Sequence, residues 1–162
     1  VGPSGGAAPP TGTGGAPPAT GGAPAGMPGV ASDTLYQNAL RDFTTGKYDM
    51  SQQEFGDYVK NYPNTDLASN AQFYIGEISY QQGNYKDAIA QYNLVLNNYP
   101  QSYKLSASML KKGMAELELG MKATGIRDLK EVVRRFPGSD EARRAQAKLK
   151  ELGVATTRTS TH

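Results

Sequence analysis

The sequence predicts an all-α solenoid: three helix–turn–helix units of one period and a closing helix, preceded by an unstructured linker. Two observations carry this. When the chain is stepped by 37 residues, six sets of positions agree: Gly46, Gly83 and Gly120; Ala39, Gly76 and Gly113; Ser51, Ala88 and Gly125; Phe55, Tyr92 and Leu129; Tyr62, Tyr99 and Phe136; Pro63, Pro100 and Pro137. A fixed period of this length is the mark of a stacked repeat. The composition also changes abruptly at Ser32: the first 32 residues hold no charge, and 17 of the first 31 are Gly or Pro.

Residues 1–31 have almost nothing to bury, so they cannot offset their chain entropy by folding. A disordered linker is expected there, with a reach on the order of 30 Å. The repeat region is expected at 32–152, with units at about 32–66, 69–103 and 106–138 and a capping helix at 139–152. In the middle unit, Asn70 to Gln82 has helical patterning, with Phe73, Ile75, Gly76 and Tyr80 as its less polar positions. Gly83-Asn84 breaks it, glycine being suited to a left-handed cap. A second helix is expected from Tyr85 to about Asn98, and Pro100 ends it, because proline disfavours helical geometry in the residue before it. Thr65, Ser102 and Ser139 are then expected to N-cap the helices that follow. The small residues at 76 and 88 are expected to let paired helices approach closely. Asp140 to Leu152 reads as the closing helix, with acids first, bases last and a thin stripe of Ala142, Ala145 and Leu149. Residues 153–162 are expected to be a flexible tail.

Composition removes several function classes. There is no Cys, and the single His is the last residue, His162, so zinc sites and Ser-His-Asp or Cys-His catalysis lose their usual parts. No cofactor or metal is called for. Asp42, Glu77 and Glu116 are read as standing at different repeat positions with no nucleophile or base beside them, so an enzyme is not expected. Net charge is +2, unevenly placed: residues 33–100 hold four Lys/Arg against eight Asp/Glu, and residues 122–152 hold nine against five. The bases are interleaved with acids and carry no nucleic-acid motif, so no nucleic-acid partner is expected. No apolar run approaches the ~20 residues of a membrane helix, so no direct membrane insertion is expected. Val1 in place of Met leads us to expect a processed or excised chain with something upstream.

Aligned on its period, the middle unit resembles the tetratricopeptide repeat (TPR). With Ser69 as position 1, Gly76, Tyr85, Ala88, Tyr92 and Pro100 fall on that family's signature positions 8, 17, 20, 24 and 32. Gln72 stands where the family has Trp, and three extra residues follow the proline. The resemblance implies a right-handed superhelix. The stretches "YPNTDLASNAQFYIGEISYQQGNYKDAIAQYNLVLNNYPQS" and "LKEVVRRFPGSDEARRAQAKLKEL" look like the C-terminal domain of the YbgF/CpoB family of the Tol–Pal system. That resemblance implies a periplasmic, non-enzymatic module that binds TolA, with a peptidoglycan synthase as a further partner. Its implied role is to coordinate outer-membrane constriction with peptidoglycan synthesis at division. It also implies homo-oligomerisation through an N-terminal coiled coil that is not in this sequence. The beta-barrel assembly lipoprotein BamD has related repeats but an acylated N-terminal Cys, missing here. An outer-membrane assembly adaptor of that kind is one alternative. A self-assembling scaffold, acidic front to basic back, is the other.

In a TPR stack the first helix of each pair lines a concave groove. The groove positions map onto Tyr36, Leu40 and Phe43; Asn70, Phe73, Glu77, Tyr80 and Gln81; and Leu110, Met114 and Leu117. A carboxylate clamp for an acidic C-terminus would need Lys and Asn at two of these positions. They hold Tyr36 and Leu40, Phe73 and Glu77, and Leu110 and Met114, so that recognition is rejected. The expected occupant is an amphipathic helix or extended segment with a basic residue meeting Glu77. The competing reading packs these side chains against neighbouring helices. Glu77→Lys is expected to weaken partner binding without unfolding the domain.

Overall fold

The 37-residue step is realised as helical hairpins stacked in chain order. The computed structural model describes Gly2 and residues 28–155; the expected linker up to residue 27 and the tail from 156 lie outside the described residues. The described residues form α1 (Pro28–Thr44), α2 (Tyr48–Asn61), α3 (Ala68–Gln81), α4 (Tyr85–Asn98), α5 (Leu105–Glu118), α6 (Lys122–Arg135) and α7 (Asp140–Glu151), with no strand among them. Each helix packs on the next in sequence, and α5 also meets α7. The first helix starts at Pro28, four residues inside the expected linker. Proline is well placed there, since a first helical N–H has no partner to lose. At the other end Val154 is held by a bond from its N–H to the Leu149 carbonyl (2.9 Å) and packs on the last core cluster. The ordered chain thus runs past the expected tail boundary at 153.

Within each hairpin the turn is the one the glycine predicts. Gly46, Gly83 and Gly120 have φ of 79°, 74° and 77°. The next residue's N–H reaches back five positions: Lys47 to the Asp42 carbonyl (2.8 Å), Asn84 to Ser79 (2.8 Å) and Met121 to Glu116 (2.9 Å). This closes the helix end with a Schellman bond, three times over. Tyr62, Tyr99 and Phe136 end the second helices at φ −131°, −131° and −124° with ψ of 50°, 57° and 52°, out of the helical region that a following proline disfavours. Where the two helices of a hairpin cross, size is restricted. A Cβ on Gly76 would stand 2.6 Å from Tyr92 Cε1, and one on Gly125 2.7 Å from Leu117 Cδ2. In the first hairpin the crossing is Ser51, whose hydroxyl donates to the Ala39 carbonyl (2.7 Å).

Two of the three expected N-caps do not form. Ser139 caps α7, accepting from the Ala142 N–H at 3.0 Å. Helices α3 and α5 instead begin at Ala68 and Leu105, three residues beyond Thr65 and Ser102. The three extra residues of the repeat make an intervening turn, in which the Ala68 and Leu105 N–H groups bond the Thr65 and Ser102 carbonyls (both 3.1 Å). Freed from capping, Thr65 Oγ1 bonds the Tyr62 carbonyl (3.0 Å) and the Tyr58 hydroxyl (2.8 Å). Ser102 Oγ donates to Ser69 Oγ (2.6 Å) and accepts from the Lys104 N–H (3.0 Å).

The core changes character along the stack. Around α1–α3 it is aromatic: Tyr36 meets Phe55 and Tyr58 edge-on at 5.7 and 5.6 Å, and Phe55 stacks on Tyr74 at 5.2 Å. A middle cluster is built on Phe73, Ala88, Tyr92 and Val95. The last cluster is aliphatic, with Met109, Leu110, Leu129, Val132, Ala145 and Leu149. The face each hairpin turns toward its predecessor repeats too. Ala68, Ala71, Ile75 and Ile78 on α3 become Ala142, Ala145, Leu149 and Leu152 on α7. On α1 the same positions are Ala31, Thr34, Asn38 and Arg41, and Thr34 and Arg41 are exposed. That outer face is polar, so it lacks the apolar surface on which hairpins stack.

Candidate functional site

The concave strip is assembled from the first helix of each hairpin, but most of its residues also serve the core. Leu110 is fully buried and faces no surface; Tyr36 (5 % exposed), Phe73 (7 %) and Asn70 (9 %) are nearly closed. Asn70 Nδ2 donates to the Tyr36 hydroxyl at 3.1 Å. Burial, partly offset by that bond, raises the Tyr36 hydroxyl to about 12. Leu40 and Phe43 are half-buried against the first cluster, Met114 and Leu117 against the last. Tyr80 is half-buried and Gln81 exposed.

Glu77 is where the structure departs from the expected site. It is engaged internally: the buried Tyr92 hydroxyl donates to Glu77 Oε1 at 2.5 Å, and Lys111 Nζ stands 3.7 Å from the same oxygen. Lys111 in turn lies 3.6 Å above the Tyr80 ring. Burial, reinforced by the Glu77 charge, pushes the Tyr92 hydroxyl well above the tyrosine range, so it stays a donor. Burial lowers the Lys111 ammonium, against the pull of Glu77. The partner's expected basic residue is therefore supplied by the chain itself. Glu77→Lys would place two ammonium groups together and leave the Tyr92 hydroxyl unpaired, so it perturbs the fold as well as the strip.

Beside Tyr80 and Gln81, further accessible surface comes from residues the groove positions omitted. Tyr103 is 66 % exposed, and Lys104 Nζ lies 4.7 Å above Phe73, 5.9 Å above Tyr74 and 6.0 Å above Tyr103. Together with Tyr74, Tyr80 and Lys111 these make an aromatic strip crossed by two ammonium groups. The signal in sequence was "SYKLS": an aromatic and a base outside any helical stripe, in the inserted residues.

Two carboxyl pairs lie between the helices of the end hairpins. Asp42 and Glu54 join α1 to α2, and Glu116 and Asp128 join α5 to α6, two full periods later. Asp42 and Glu116 are 1 % and 2 % exposed. The pairs are handled differently. Lys112 Nζ forms an ion pair with both, 3.0 Å from Asp128 Oδ2 and 3.8 Å from Glu116 Oε1, and the largely exposed Arg127 donates from Nε to Asp128 Oδ1 at 3.2 Å. Asp42 has only Arg41 at 3.6 Å and Lys47 at 4.0 Å, both largely in solvent. Among the described residues no larger acidic group gathers as a metal set, and no helix is long and apolar enough to cross a membrane.

With this geometry in hand, the comparisons decide the family. The family model for YfiO, an outer-membrane lipoprotein, matches residues 28–155, the whole continuous described region. The chain belongs to the YfiO family. A curated relative of this YfiO-family chain is the cell division coordinator CpoB of Pseudomonas putida, 35% identical over 54 residues, 33% of this chain and 20% of the relative. The chain thus spans about a fifth of the length of the curated relatives it matches. Solved structures show the fold to be TPR-like. The Yersinia enterocolitica type III secretion translocator chaperone SycD aligns at TM-score 0.66 and 17% identity, over 79% of this chain and 96% of its own. The Arabidopsis OM64 TPR domain aligns at TM-score 0.63 and 11% identity, over 76% and 97%. The first TPR of Spaghetti (RPAP3), bound to an HSP90 peptide, aligns at TM-score 0.60 and 16% identity, over 75% and 91%.

Proposed function

We propose that this chain is a non-enzymatic protein-interaction module of the bacterial cell envelope, working in the periplasm. A TolA-like partner segment lies along the concave strip, and the module helps couple outer-membrane constriction to peptidoglycan synthesis at division. The observation that carries the reading is the strip itself. Tyr74, Tyr80 and Tyr103, with Lys104 and Lys111 across them, form a half-open aromatic surface on a rigid helical stack. Such a surface binds extended or helical segments through aromatic anchors, not through catalysis. The CpoB similarity supports the division context and the lipoprotein family supports the envelope. The SycD and RPAP3 neighbours support a protein as the ligand. The occupant differs from the acidic HSP90 peptide, because the positions of a carboxylate clamp hold Phe73, Glu77, Leu110 and Met114.

A segment-by-segment NMR titration of the labelled chain with TolA fragments tests this. Shifts should gather at Tyr74, Tyr80, Tyr103 and Lys111; shifts on α2, α4 and α6 instead would overturn the site. The second reading, an outer-membrane assembly adaptor, is favoured by the family match over residues 28–155. It predicts binding to an outer-membrane assembly component and none to TolA. Hairpin-on-hairpin self-assembly draws no support from the polar outer face of α1.

A further inference from the structure

The extra residues of the 37-residue repeat build something besides spacing. A cleft of about 550 Å³ opens between the α2–α3 and α4–α5 turns. The Ser69–Ser102 hydrogen bond lies at its floor, with Ser69 only 4 % exposed. Asp66 from the first turn and Tyr99, Pro100 and Tyr103 from the second line it. The Asp66 carboxylate is exposed and makes no ion pair among the described residues. The α6–α7 turn has no such opening residues: Ser139 caps the helix at once, and Asp140, at the position of Asp66 and Tyr103, is paired with Arg143. Two long turns side by side make the cleft, so it follows from the insertion rather than from the TPR fold.

We propose that this cleft takes an arginine side chain from an extended segment of a partner protein. Its chemistry selects that group. A guanidinium is planar and weakly hydrated, so it can lie on a tyrosine ring while its edge bonds a carboxylate in bidentate fashion. Tyr99 or Tyr103 supplies the ring and Asp66 the carboxylate, on a side that no cation of the chain fills. A lysine ammonium matches the charge but not the plane. The charge favours a cation on the Asp66 side: residues 33–100 carry eight acids against four bases, whereas Lys104 stands over the outer Tyr103 ring. One side chain in an open cleft binds weakly, with Kd of about a millimolar. It acts as an auxiliary anchor beside the concave strip, which Tyr103 adjoins. This site does not depend on which envelope partner occupies the strip.

The test uses the ¹⁵N-labelled full chain and three short peptides, acetyl-Ala-Arg-Pro-Ala-amide and its lysine and citrulline counterparts. The arginine peptide should shift the amides of Thr65, Asp66, Ser69, Ser102 and Tyr103. It should bind about threefold or more tighter than the lysine peptide, and citrulline should not bind. Asp66→Asn should weaken the arginine peptide about fivefold and leave the melting temperature unchanged. Added salt should weaken binding as well. No shift up to about 10 mM peptide, an equal response to citrulline, or shifts confined to Tyr80 and Lys111 would each overturn the proposal. So would shifts of the cleft amides on diluting the chain alone, which would make a second copy the occupant.

Discussion

The first and third hairpins solve one electrostatic problem in two ways. Each buries a carboxyl pair between its helices at the same repeat positions, Asp42 with Glu54 and Glu116 with Asp128. In the third hairpin Lys112 enters the pair from one turn earlier on α5, at a position that is Ile75 on α3 and Leu149 on α7. A core apolar site has been given to a cation. Burial, then the Asp128 charge, raises Glu116 from 4.5 to about 7. Burial also works against Asp128, but the adjacent Lys112 ammonium and the Arg127 bond outweigh it and hold Asp128 below the usual carboxylate range. In the first hairpin the Lys112 position is Asn38. Burial, then the facing Asp42 carboxylate, raises Glu54. Asp42 Oδ1 and Oδ2 and Glu54 Oε2 are cut off from solvent without a hydrogen-bond partner, and no buried cation stands between the two carboxyls as Lys112 does. The middle hairpin carries Ser79 and Gln91 at these positions, with Gln72 Nε2 donating to Gln91 Oε1 at 2.7 Å. The lesson is that this register carries polar residues in all three hairpins, while their charge and the partner they bond vary.

The largest break in this comparison is Lys112→Met. Lys112 is the buried one of the pair's two cations; the largely exposed Arg127 keeps its bond to Asp128 Oδ1 at 3.2 Å, so removing Lys112 leaves the buried charge poorly compensated, at a cost of about 3 kcal/mol. Urea midpoints at pH 7 measure it. Lys47→Met in the first hairpin removes a largely exposed partner at 4.0 Å and should cost under about 1 kcal/mol. Equal losses from the two substitutions would mean that the hairpins do not differ as described.

A pH series comes next. A carboxyl raised in the folded state binds more protons there than when unfolded, so stability is full below its ordinary value and falls as pH climbs through the folded one. For Glu116 that window runs from 4.5 to about 7, with a loss on the order of 1–3 kcal/mol. Glu116→Gln should flatten it, because the amide keeps the neutral shape. Asp128 acts in the opposite sense: its contribution is present above the ordinary carboxylate value and disappears as pH falls through its lowered one. The third hairpin should thus be weakened on both sides, while Ser79 and Gln91 give the middle hairpin no titrating group at this bridge. A Glu116→Gln chain with an unchanged pH slope would sink this account.

The contrast also shows what could be read from sequence. The period, the glycine turns and the aromatic–proline stops were legible because each is a backbone constraint written in one residue. The need for a small residue at 76 was legible as a size rule, but the expected pairing with residue 88 was not what sets it: Tyr92 is the side chain that Gly76 faces. The caps at Thr65 and Ser102 were misread, because the effect of three inserted residues on a turn is not local to the serine. Glu77 looked free because its partners, Tyr92 and Lys111, sit on other helices. Contrary to the expectation from sequence, Asp42 and Glu116 share one repeat position, two periods of 37 apart, and nothing in the letters says that both are almost wholly enclosed.

The smallest expected effect is the sharpest test. Asn38→Lys puts a lysine at the Lys112 position of the first hairpin, one turn before Asp42 as Lys112 is before Glu116. Asn38 is half-buried on the polar outer face of α1, so a long side chain can fold back toward the pair without displacing a neighbouring hairpin. Arg41 and Lys47 already stand near Asp42 and would oppose a third cation, which limits the gain to about 0.5–1 kcal/mol at pH 7. Lysine is also a better helix former than asparagine, which adds a few tenths of a kcal/mol at any pH. The two contributions separate by titration. A gain that shrinks toward pH 4 comes from the ionised pair, and the Glu54 carboxyl ¹³C signal should then titrate closer to the ordinary glutamate range. A gain of the same size at pH 4 and pH 7, with Glu54 unmoved, would show only helix propensity and would leave the two hairpins without the electrostatic kinship inferred from their shared register.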